Sequence, residues 1–286
     1  MILRIAMFLR AGLLLAALWP VAGLAGPARP VVTWAIVEGP PEHERPQAQR
    51  VQDLGQGPMD QQLRLLTQAL PQLEHRVQAM SLERVWRDMR QGRELCFADA
   101  FKTRERLDVA HFVELGQGSP MLLVSAPGRL PPSAEVSLRA LLEEGRLKGL
   151  FVRQRSYGEK LDQLLAEFSQ PREALPDDGR LLNMLMQGRM DYVLETPNGW
   201  LQTAGLAVET RRVREALEPP PVHVACSRSM ARAQVREMDA AIRRLSREPA
   251  WLQMKLLAYP PAVREVMRPV AERYLRERAA QGERIE

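Results

Sequence analysis

Two stretches of the chain, VWRDMRQGRELCF from Val85 to Phe97 and LLNMLMQGRMDYVL from Leu181 to Leu194, share the same local plan. In each, an amphipathic helix pattern reaches a Gln-Gly-Arg turn, and a short apolar run typical of a strand follows. The two triplets begin at positions 91 and 187, so they lie 96 positions apart. This spacing is too long for a solenoid repeat and suits two consecutive small α/β units, although such a joint is also common by chance.

The N-terminal 25 residues have the composition of a secretory signal peptide. Residues 1–10 are basic, residues 11–24 are apolar, and small residues at Gly23 and Ala25 suit signal peptidase. We therefore expect cleavage after Ala25, a periplasmic location and a mature chain of 261 of the 286 residues. An uncleaved membrane anchor is the alternative, but the apolar run is short for a membrane span and Pro20 interrupts it.

Charge and composition argue against a nucleic-acid-binding surface. The full chain has a formal net charge of +5, which falls to +3 when the two arginines of the signal peptide are removed. Lysines and arginines are scattered among acidic residues without a stripe of interleaved aromatic side chains, so no nucleic-acid partner is expected. Hydrophobic residues make up 45% of the chain, which is enough for one large core or two modest ones. The repeated helix-to-strand joint favours two modest cores.

The chain has two cysteines, Cys96 and Cys226, each in a strand-like segment. An oxidising compartment allows a disulfide between them, and this bridge would connect the early and late parts of the chain across 130 positions. Two buried free thiols that pack as small hydrophobic groups are the alternative. The sequence alone leaves both possibilities open.

Proline-rich breaks indicate where the chain passes from one unit to the other. The apolar residues 121–124 are followed by Pro127, and three consecutive prolines end at Pro221. We predict a first lobe made of residues 26–120 and 222–286, with a second lobe, residues 121–221, inserted between them. The predicted fold class is α/β with two lobes, and a ligand cleft is expected between the lobes at the carboxyl ends of parallel strands.

The order of several short motifs resembles that of the family 3 extracellular solute-binding proteins, the type II periplasmic receptors that include polar amino-acid-binding proteins. These motifs are Pro40-Pro41 after the first strand, Lys102-Thr103-Arg104-Glu105-Arg106 followed by Phe112 and Pro120, the Ser156-Tyr157 turn, and Gly188 to Asp191. The resemblance spans nearly all of the mature chain. Gly55-Gln56-Gly57, Asp60, Cys96 and Cys226 are more narrowly similar to one subgroup of the family. The resemblance implies lobes that close on a small solute and present it to an inner-membrane transporter or a sensor.

The resemblance implies a ligand-binding role for Arg106. In amino-acid-binding members, the second basic residue of the Thr-x-x-Arg pattern grips the α-carboxylate of the ligand, and Arg106 stands at the matching position. A guanidinium group offers a planar fork that forms two charge-assisted hydrogen bonds with a carboxylate. The alternative is that Arg104 and Arg106 pair with Glu105 and Asp108 on a solvated helix start.

Aromatic and hydroxyl side chains supply further candidate ligand-binding residues. Ser156 and Tyr157 precede a predicted helix, whose free N–H groups favour an anion, although Ser156 would also serve as a simple N-cap. Trp34 and Tyr157 would sandwich an apolar part of the ligand, although a tryptophan in a first strand also suits the core.

The chain departs from the family pattern where amino-acid binders usually carry an acid that accepts the α-amine of the ligand. Thr196 stands there, with Glu195 beside it, and small hydroxyl residues that assist the arginine are replaced by Asp99 and Phe101. The expected solute is therefore small, anionic or zwitterionic and amino-acid-like. This class is broader than the ordinary α-amino acids. Thr196, Glu195 and Glu38 complete the candidate ligand-binding residues.

No catalytic or metal-binding motif stands out, so we expect a monomeric binding protein without a cofactor rather than an enzyme. No Ser or Cys lies in a nucleophile motif, and metal-ligand spacing is missing from the four histidines, His43, His75, His111 and His223. One alternative is a lyase or dehydratase on the same scaffold, with Glu195 or Glu38 as an acid in the cleft. Another is a receptor fold repurposed for contacts with an envelope protein, which a filled cleft and an internally paired Arg106 would mark.

Overall fold

The computed structural model describes residues 29–37, 48–173, 178–197, 205, 207–218, 220–257, 259 and 261–286. The expected signal peptide, Glu38 and the Pro40-Pro41 motif lie outside these residues. The described part of the chain forms two β-sheets with helices packed against them. None of the described helices is long and apolar enough to cross a membrane.

The strands, numbered along the chain, are β1 (Val31–Val37), β2 (Glu74–Met80), β3 (Cys96–Phe101), β4 (Ala110–Gln117), β5 (Leu122–Ser125), β6 (Glu135–Val136), β7 (Gly149–Val152), β8 (Arg172–Glu173), β9 (Tyr192–Glu195), β10 (Glu209–Val213) and β11 (Pro221–Ser227). The α-helices are α1 (Pro58–Gln68), α2 (Leu82–Arg90), α3 (Arg104–Leu107), α4 (Leu138–Glu144), α5 (Glu159–Glu167), α6 (Asp178–Met186), α7 (Arg232–Leu245), α8 (Pro249–Leu257) and α9 (Pro261–Ala280). Short 3-10 helices cover Val51–Asp53 and Arg214–Ala216.

Each sheet mixes parallel and antiparallel strands. Sheet 1 has the strand order β2-β1-β3-β11-β4, in which β1 is parallel to both neighbours and β11 is antiparallel to both of its own. Sheet 2 has the order β6-β10-β5-β9-β7-β8. Strand β11 inserts between β3 and β4. Sheet 1 therefore contains strands that come both before and after the strands of sheet 2 in the sequence. The α/β fold class is confirmed, and the lobe boundaries at residues 121 and 222 stay a prediction.

The repeated Gln-Gly-Arg turn has the same backbone geometry in both copies. Gly92 and Gly188 have φ angles of 76° and 66°, a left-handed conformation that glycine adopts without a steric cost. The amides of Gly92 and Gly188 donate to carbonyl oxygens near the ends of α2 and α6, at 3.0 Å each. The backbone amides of Arg93 and Arg189 donate to the carbonyl oxygens one residue earlier in each helix, also at 3.0 Å. This is a Schellman ending in both helices, so the prediction of two equivalent helix-to-strand joints is confirmed.

Separate apolar clusters pack the helices against each sheet. One cluster joins sheet 1 to α1, α7, α8 and α9 through side chains such as Leu66 and Trp251, and another joins it to α2 through Trp86. In sheet 2, one cluster includes Leu161 of α5 and another includes Leu185 of α6. Each sheet therefore has its own core, as two lobes require.

Cys96 and Cys226 form a disulfide, so the alternative of two free thiols is wrong. The two residues lie directly opposite each other on β3 and β11, and both are fully buried. The sulfur atoms of Met230 and Met238 pack within 3.6 Å and 3.4 Å of Cys96 and Cys226, respectively. The bridge thus ties an early strand to a late one inside the core of sheet 1.

The last residues of the chain cover the outer edge of β4. The backbone amide of Glu286 donates to the carbonyl oxygen of Phe112 at 3.2 Å, and the amide of Phe112 donates back at 2.9 Å. The Glu286 carboxylate accepts two hydrogen bonds of 2.7 Å from Lys102. This segment therefore occupies backbone groups that an edge strand otherwise leaves open.

A buried ion pair fastens α9 to α7. Arg278 and Asp239 are both fully buried, and Arg278 Nη2 donates to Asp239 Oδ1 at 2.5 Å. Arg278 Nε also donates to the carbonyl oxygen of Glu114 in β4 at 3.0 Å, and Arg243 approaches the other oxygen of Asp239 at 2.9 Å. The long C-terminal helix is therefore held by charge as well as by apolar packing.

Acidification below pH 6.5 is expected to lower the free energy of unfolding by about 1–2 kcal/mol by pH 5.5, before carboxylates titrate. Burial lowers the pKa of His75, whose two ring nitrogens bond Trp34 Nε1 at 3.1 Å and the Leu70 carbonyl at 2.9 Å. Burial also lowers the pKa of His111 and His223. The unfolded chain therefore takes up protons first, and stability that is complete above pH 6.5 is lost below it.

Urea unfolding at pH 7.5, 6.5 and 5.5 would measure this loss of stability. The variant His75→Gln should show a shallower pH dependence than the unmodified protein, because one of the titrating rings is removed. A free energy of unfolding that stays constant between pH 7.5 and pH 5.5 would contradict the prediction.

Candidate functional site

Arg106 lies where the two sheets meet and is bonded to both units. It follows β3 in the short helix α3, where the Thr103 hydroxyl accepts a hydrogen bond from the Arg106 amide at 3.3 Å and fixes the turn. Arg106 Nη1 donates to the carbonyl oxygen of Phe101 in β3 at 2.7 Å. Arg106 Nη2 donates to the carbonyl oxygen of Gln154, which follows β7, at 2.6 Å. One guanidinium group therefore spans the junction between sheet 1 and sheet 2.

The guanidinium group of Arg106 is stacked and largely withdrawn from water. Its Cζ lies 4.2 Å from the centre of the Trp86 ring, a favourable cation–π arrangement. Burial lowers the pKa of Arg106 to about 10, while the charges of Asp162 and Glu105 act in the opposite direction. Arg106 is therefore charged at neutral pH. Within the described residues, Arg106 forms no ion pair with Glu105 or Asp108, as the alternative required, and the Glu105 carboxylate lies 3.7 Å from Arg90.

Glu195 and Thr196 lie at the end of β9, and Arg155 occupies the carboxylate of Glu195. Arg155 Nη1 and Nη2 donate to the two oxygens of Glu195 at 2.8 Å and 2.5 Å. The amide of Thr196 donates to the same carboxylate at 2.9 Å, and Glu195 is only 2% exposed. Glu195 lies beside Thr196, the position at which family members carry an acid for the ligand amine. Its carboxylate is thus buried and held by the guanidinium group of Arg155.

Ser156 does not cap α5, so the simple N-cap alternative is wrong. The N-cap is Gly158, at φ 95°, two residues further along the chain. The Ser156 hydroxyl instead donates to Asp162 Oδ2 at 2.5 Å and accepts from the Gly158 amide at 3.2 Å. Asp162 Oδ1 accepts from the Tyr157 amide at 3.2 Å and from Arg172 Nη2 at 2.9 Å. The Asp162 carboxylate therefore occupies the position near the start of α5 that would favour a bound anion.

Tyr157 forms a platform under two arginines. Its hydroxyl accepts a hydrogen bond from the Val152 amide at 2.8 Å, its side chain is 2% exposed, and burial raises the pKa of its phenol. The guanidinium carbons of Arg155 and Arg172 lie 5.4 Å and 5.7 Å from the centre of the ring. The contribution of Tyr157 is therefore to position these two cations.

We call Arg106, Arg155 and Arg172 the arginine cluster. Arg155 pairs with Glu195 and Arg172 pairs with Asp162. Among the residues that the structure describes, Arg106 is within ion-pairing distance of no carboxylate, and its bonds go to neutral carbonyl oxygens. The described part of the cluster thus has one positive charge in excess, located at the junction of the two sheets. Such a site favours a carboxylate or another small anion.

The structure places Trp34 away from the arginine cluster and Phe101 towards it. Trp34 is fully buried in the core of sheet 1, where its Nε1 donates to His75. The Phe101 side chain, although it belongs to β3, packs against the apolar core of sheet 2. Glu38 lies outside the described residues. Of the predicted site residues, the structure therefore brings together Arg106, Ser156, Tyr157, Glu195 and Thr196.

Several residues of this junction were not predicted from the sequence. Trp86 of α2 stacks on Arg106, while Arg155 and Arg172 come from β7–α5 and β8. The only local signal was the Arg-Ser-Tyr run at residues 155–157, in which the arginine directly precedes two predicted site residues.

Within the described ranges, no group of three His, Cys, Asp or Glu side chains is arranged to hold a metal ion.

No protein-family model matches the sequence, and no curated protein sequence matches it. The structure is similar to the VFT2 domain of BvgS from Bordetella pertussis, at 19% identity and a TM-score of 0.55, covering 79% of this chain and 92% of that one. It is also similar to AbpA, an amino acid ABC transporter substrate-binding protein from Streptococcus pneumoniae bound to L-arginine, at 13% identity and a TM-score of 0.54, covering 88% and 97%. An ancestral arginine-binding protein bound to glutamine has 13% identity and a TM-score of 0.59, covering 81% and 99%.

These likenesses show the fold: the chain has the two-lobed α/β architecture of periplasmic amino-acid-binding proteins. The resemblance inferred from the motif order is thereby confirmed at the level of the fold. The structural neighbours are binding proteins rather than enzymes.

Proposed function

We propose that this protein is a periplasmic solute-binding protein that closes its two lobes on a small anionic or zwitterionic, amino-acid-like solute. The observation that carries the proposal is the position of Arg106, whose charge is in excess at the junction and whose donors reach one carbonyl oxygen in each unit. Solved proteins of the same fold bind arginine or glutamine. In this proposal, the closed form is presented to an inner-membrane transporter or a sensor.

The proposed mechanism is an exchange of hydrogen-bond acceptors at Arg106. A solute carboxylate replaces the neutral carbonyl oxygens of Phe101 and Gln154 and forms two charge-assisted bonds, which are stronger than bonds to neutral acceptors. Because the solute then contacts both lobes, its binding favours the closed arrangement of the hinge. Arg155 and Arg172 keep their own carboxylates, so the positive charge that the solute carboxylate neutralises is that of Arg106.

Replacing Arg106 by alanine is expected to weaken binding of the responding solute at least about 100-fold, because a buried charge pair is lost. Arg106→Lys keeps the charge but loses the planar fork, and a loss of about tenfold is expected. Thermal shift would screen amino acids, small peptides and organic acids, and calorimetry would measure affinity. Arg104→Ala, an exposed neighbour on the same helical turn, is the matched control.

Two outcomes would contradict different parts of this proposal. If the unmodified protein shows neither a thermal shift nor a change in small-angle scattering across that panel, the solute-binding proposal is wrong. If it responds and Arg106→Ala responds equally, the fold binds solutes but Arg106 is not the anchor.

A second candidate function is a receptor fold repurposed for contacts with another envelope protein. Three contacts favour it: Arg106 is satisfied by carbonyl oxygens, Phe101 packs against the core of sheet 2, and Glu195 is bonded to Arg155. Native mass spectrometry of protein purified without denaturation distinguishes the two functions. A co-purified small molecule supports solute binding, whereas its absence together with a silent panel supports the second function.

The lyase alternative gains no support at Glu195. A general acid must carry a proton and reach the substrate, whereas both oxygens of Glu195 accept hydrogen bonds from Arg155. The other acid considered for this role, Glu38, lies outside the described residues.

A further inference from the structure

The indole ring of Trp86 has a fixed position in the core between α2 and sheet 1. The side chain is 1% exposed and belongs to the apolar cluster that joins α2 to sheet 1. Phe97 of β3 packs edge-on against it, with ring centres 6.4 Å apart and ring planes at 88°. Trp86 Nε1 has no hydrogen-bond partner among the residues that the structure describes. Packing from α2 and β3, rather than a hydrogen bond, therefore fixes this ring.

Arg106 lies over this fixed ring, in the shortest cation–π contact of the described part of the chain. Its Cζ is 4.2 Å from the ring centre, whereas the other contacts of this kind measure 5.1–5.7 Å. Tryptophan attracts cations more strongly than the other aromatic residues, and the attraction grows where water is excluded. Burial is the main cause of the lowered pKa of Arg106, so water is largely excluded here. Both conditions favour a strong contact between Trp86 and Arg106.

The contact with Trp86 limits how Arg106 meets an acceptor. A guanidinium group is planar and presents its N–H donors in a rigid fork. Trp86 covers one side of the group, while Nη1 and Nη2 donate to the carbonyl oxygens of Phe101 and Gln154 at 2.7 Å and 2.6 Å. A carboxylate that replaces these oxygens would meet a fork that is already ordered. Ordering a long side chain before binding reduces the entropy that binding itself must cost.

We propose that Trp86 is a positioning residue of the solute site, which holds the guanidinium group of Arg106 ready for a solute carboxylate. Trp86 acts through Arg106, because it restricts the rotamers of a long side chain and keeps water from one side of its charge. This inference rests on the proposed solute-binding function and makes it more specific. It adds a residue of α2, an element outside the motifs that carry the family resemblance.

A double-mutant cycle between Trp86 and Arg106 tests this role. Calorimetry measures the binding of L-arginine, L-glutamine, L-glutamate and glutarate to the unmodified protein, to Trp86→Leu, to Arg106→Lys and to the double variant. Trp86→Leu should weaken the binding of any responding probe about tenfold, because the guanidinium group is no longer held in place. In the Arg106→Lys background, the same substitution should weaken binding less than about threefold, since an ammonium group has no plane to orient.

Two control variants separate positioning from packing. Trp251→Leu removes a similarly buried tryptophan from a different apolar cluster of sheet 1, and it should change binding less than about twofold. Trp86→Phe keeps an aromatic face and most of the core volume, so a loss of about threefold is expected. If Trp86→Leu does not fold, Trp86→Phe takes its place in the cycle. A coupling to Arg106 of about twofold or more then supports the role of Trp86, and a smaller coupling contradicts it.

The results that overturn the inference differ from those that overturn the proposed function. If Trp86→Leu weakens binding by the same factor in both backgrounds, or if Trp251→Leu weakens it as much, Trp86 only supports the fold. Its positioning role is then wrong, while solute binding stands. If the unmodified protein binds none of the four probes, recognition of an amino-acid-like carboxylate by Arg106 fails, and the role of Trp86 fails with it.

Discussion

Removal of the Cys96–Cys226 disulfide is expected to lower the free energy of unfolding by about 4–5 kcal/mol. The bridge joins residues separated by 130 positions, and the chain-entropy model gives long loops the largest stabilisation. The paired cysteines lie opposite each other on β3 and β11, in a buried part of sheet 1. The double variant Cys96→Ala/Cys226→Ala, unfolded in urea and compared with the unmodified protein, measures the loss.

A comparison with reductant separates the covalent bond from the packing of the sulfur atoms. The unmodified protein unfolded and refolded with a thiol reductant should lose most of the same stability, because the chain is no longer cross-linked. The double alanine variant should be insensitive to reductant. A loss below about 1 kcal/mol in both experiments would contradict a stabilising role for the bridge.

Replacing Arg278 by methionine is expected to lower the free energy of unfolding by about 3 kcal/mol, because it leaves a buried carboxylate without its main partner. Arg278 and Asp239 are both fully buried, and their contact is the closest ion pair between α9 and α7 among the described residues. Arg243 retains a 2.9 Å contact with Asp239, which keeps the expected loss at the lower end of the range for such pairs. Thermal and urea unfolding would both report the effect.

A second substitution distinguishes an unpaired charge from a packing defect. In Arg278→Met/Asp239→Leu both charges are replaced by apolar groups, so most of the lost stability should return. Arg276→Met, on the exposed side of the same helix, should change the free energy of unfolding by less than about 0.5 kcal/mol. If the double variant is no more stable than the single one, the loss comes from packing rather than from the buried charge of Asp239.

Local sequence signals accounted for the ends of α2 and α6 and for the strand-like segments that contain Cys96 and Cys226. Gly92 and Gly188 were identifiable because a left-handed helix ending requires glycine. Strand β4 was not predicted. Its middle residue Glu114 interrupts the apolar pattern, and Tyr274, 160 positions further along the chain, donates a hydrogen bond to it. No local pattern contains that partner.

The candidate site was predictable only where one short motif positions the residue. Arg106 follows Thr103 by three residues, and that spacing places its amide on the threonine hydroxyl. Arg172 could not be found in this way, because its partner Asp162 belongs to a different element ten positions away. Trp34 suited both the cleft and the core, and the packing of the sheet, together with its bond to His75, decided for the core.

The pairing of Glu286 with β4 has a consequence for how copies of the protein meet. An open edge strand is a template on which a second chain can add a strand, and this is a common route to aggregation. Here the amide and carbonyl groups of Phe112 already bond the backbone of Glu286, and Lys102 holds the side chain of that residue. The backbone of Glu286 thus occupies one pair of the β4 groups through which a second chain would add a strand.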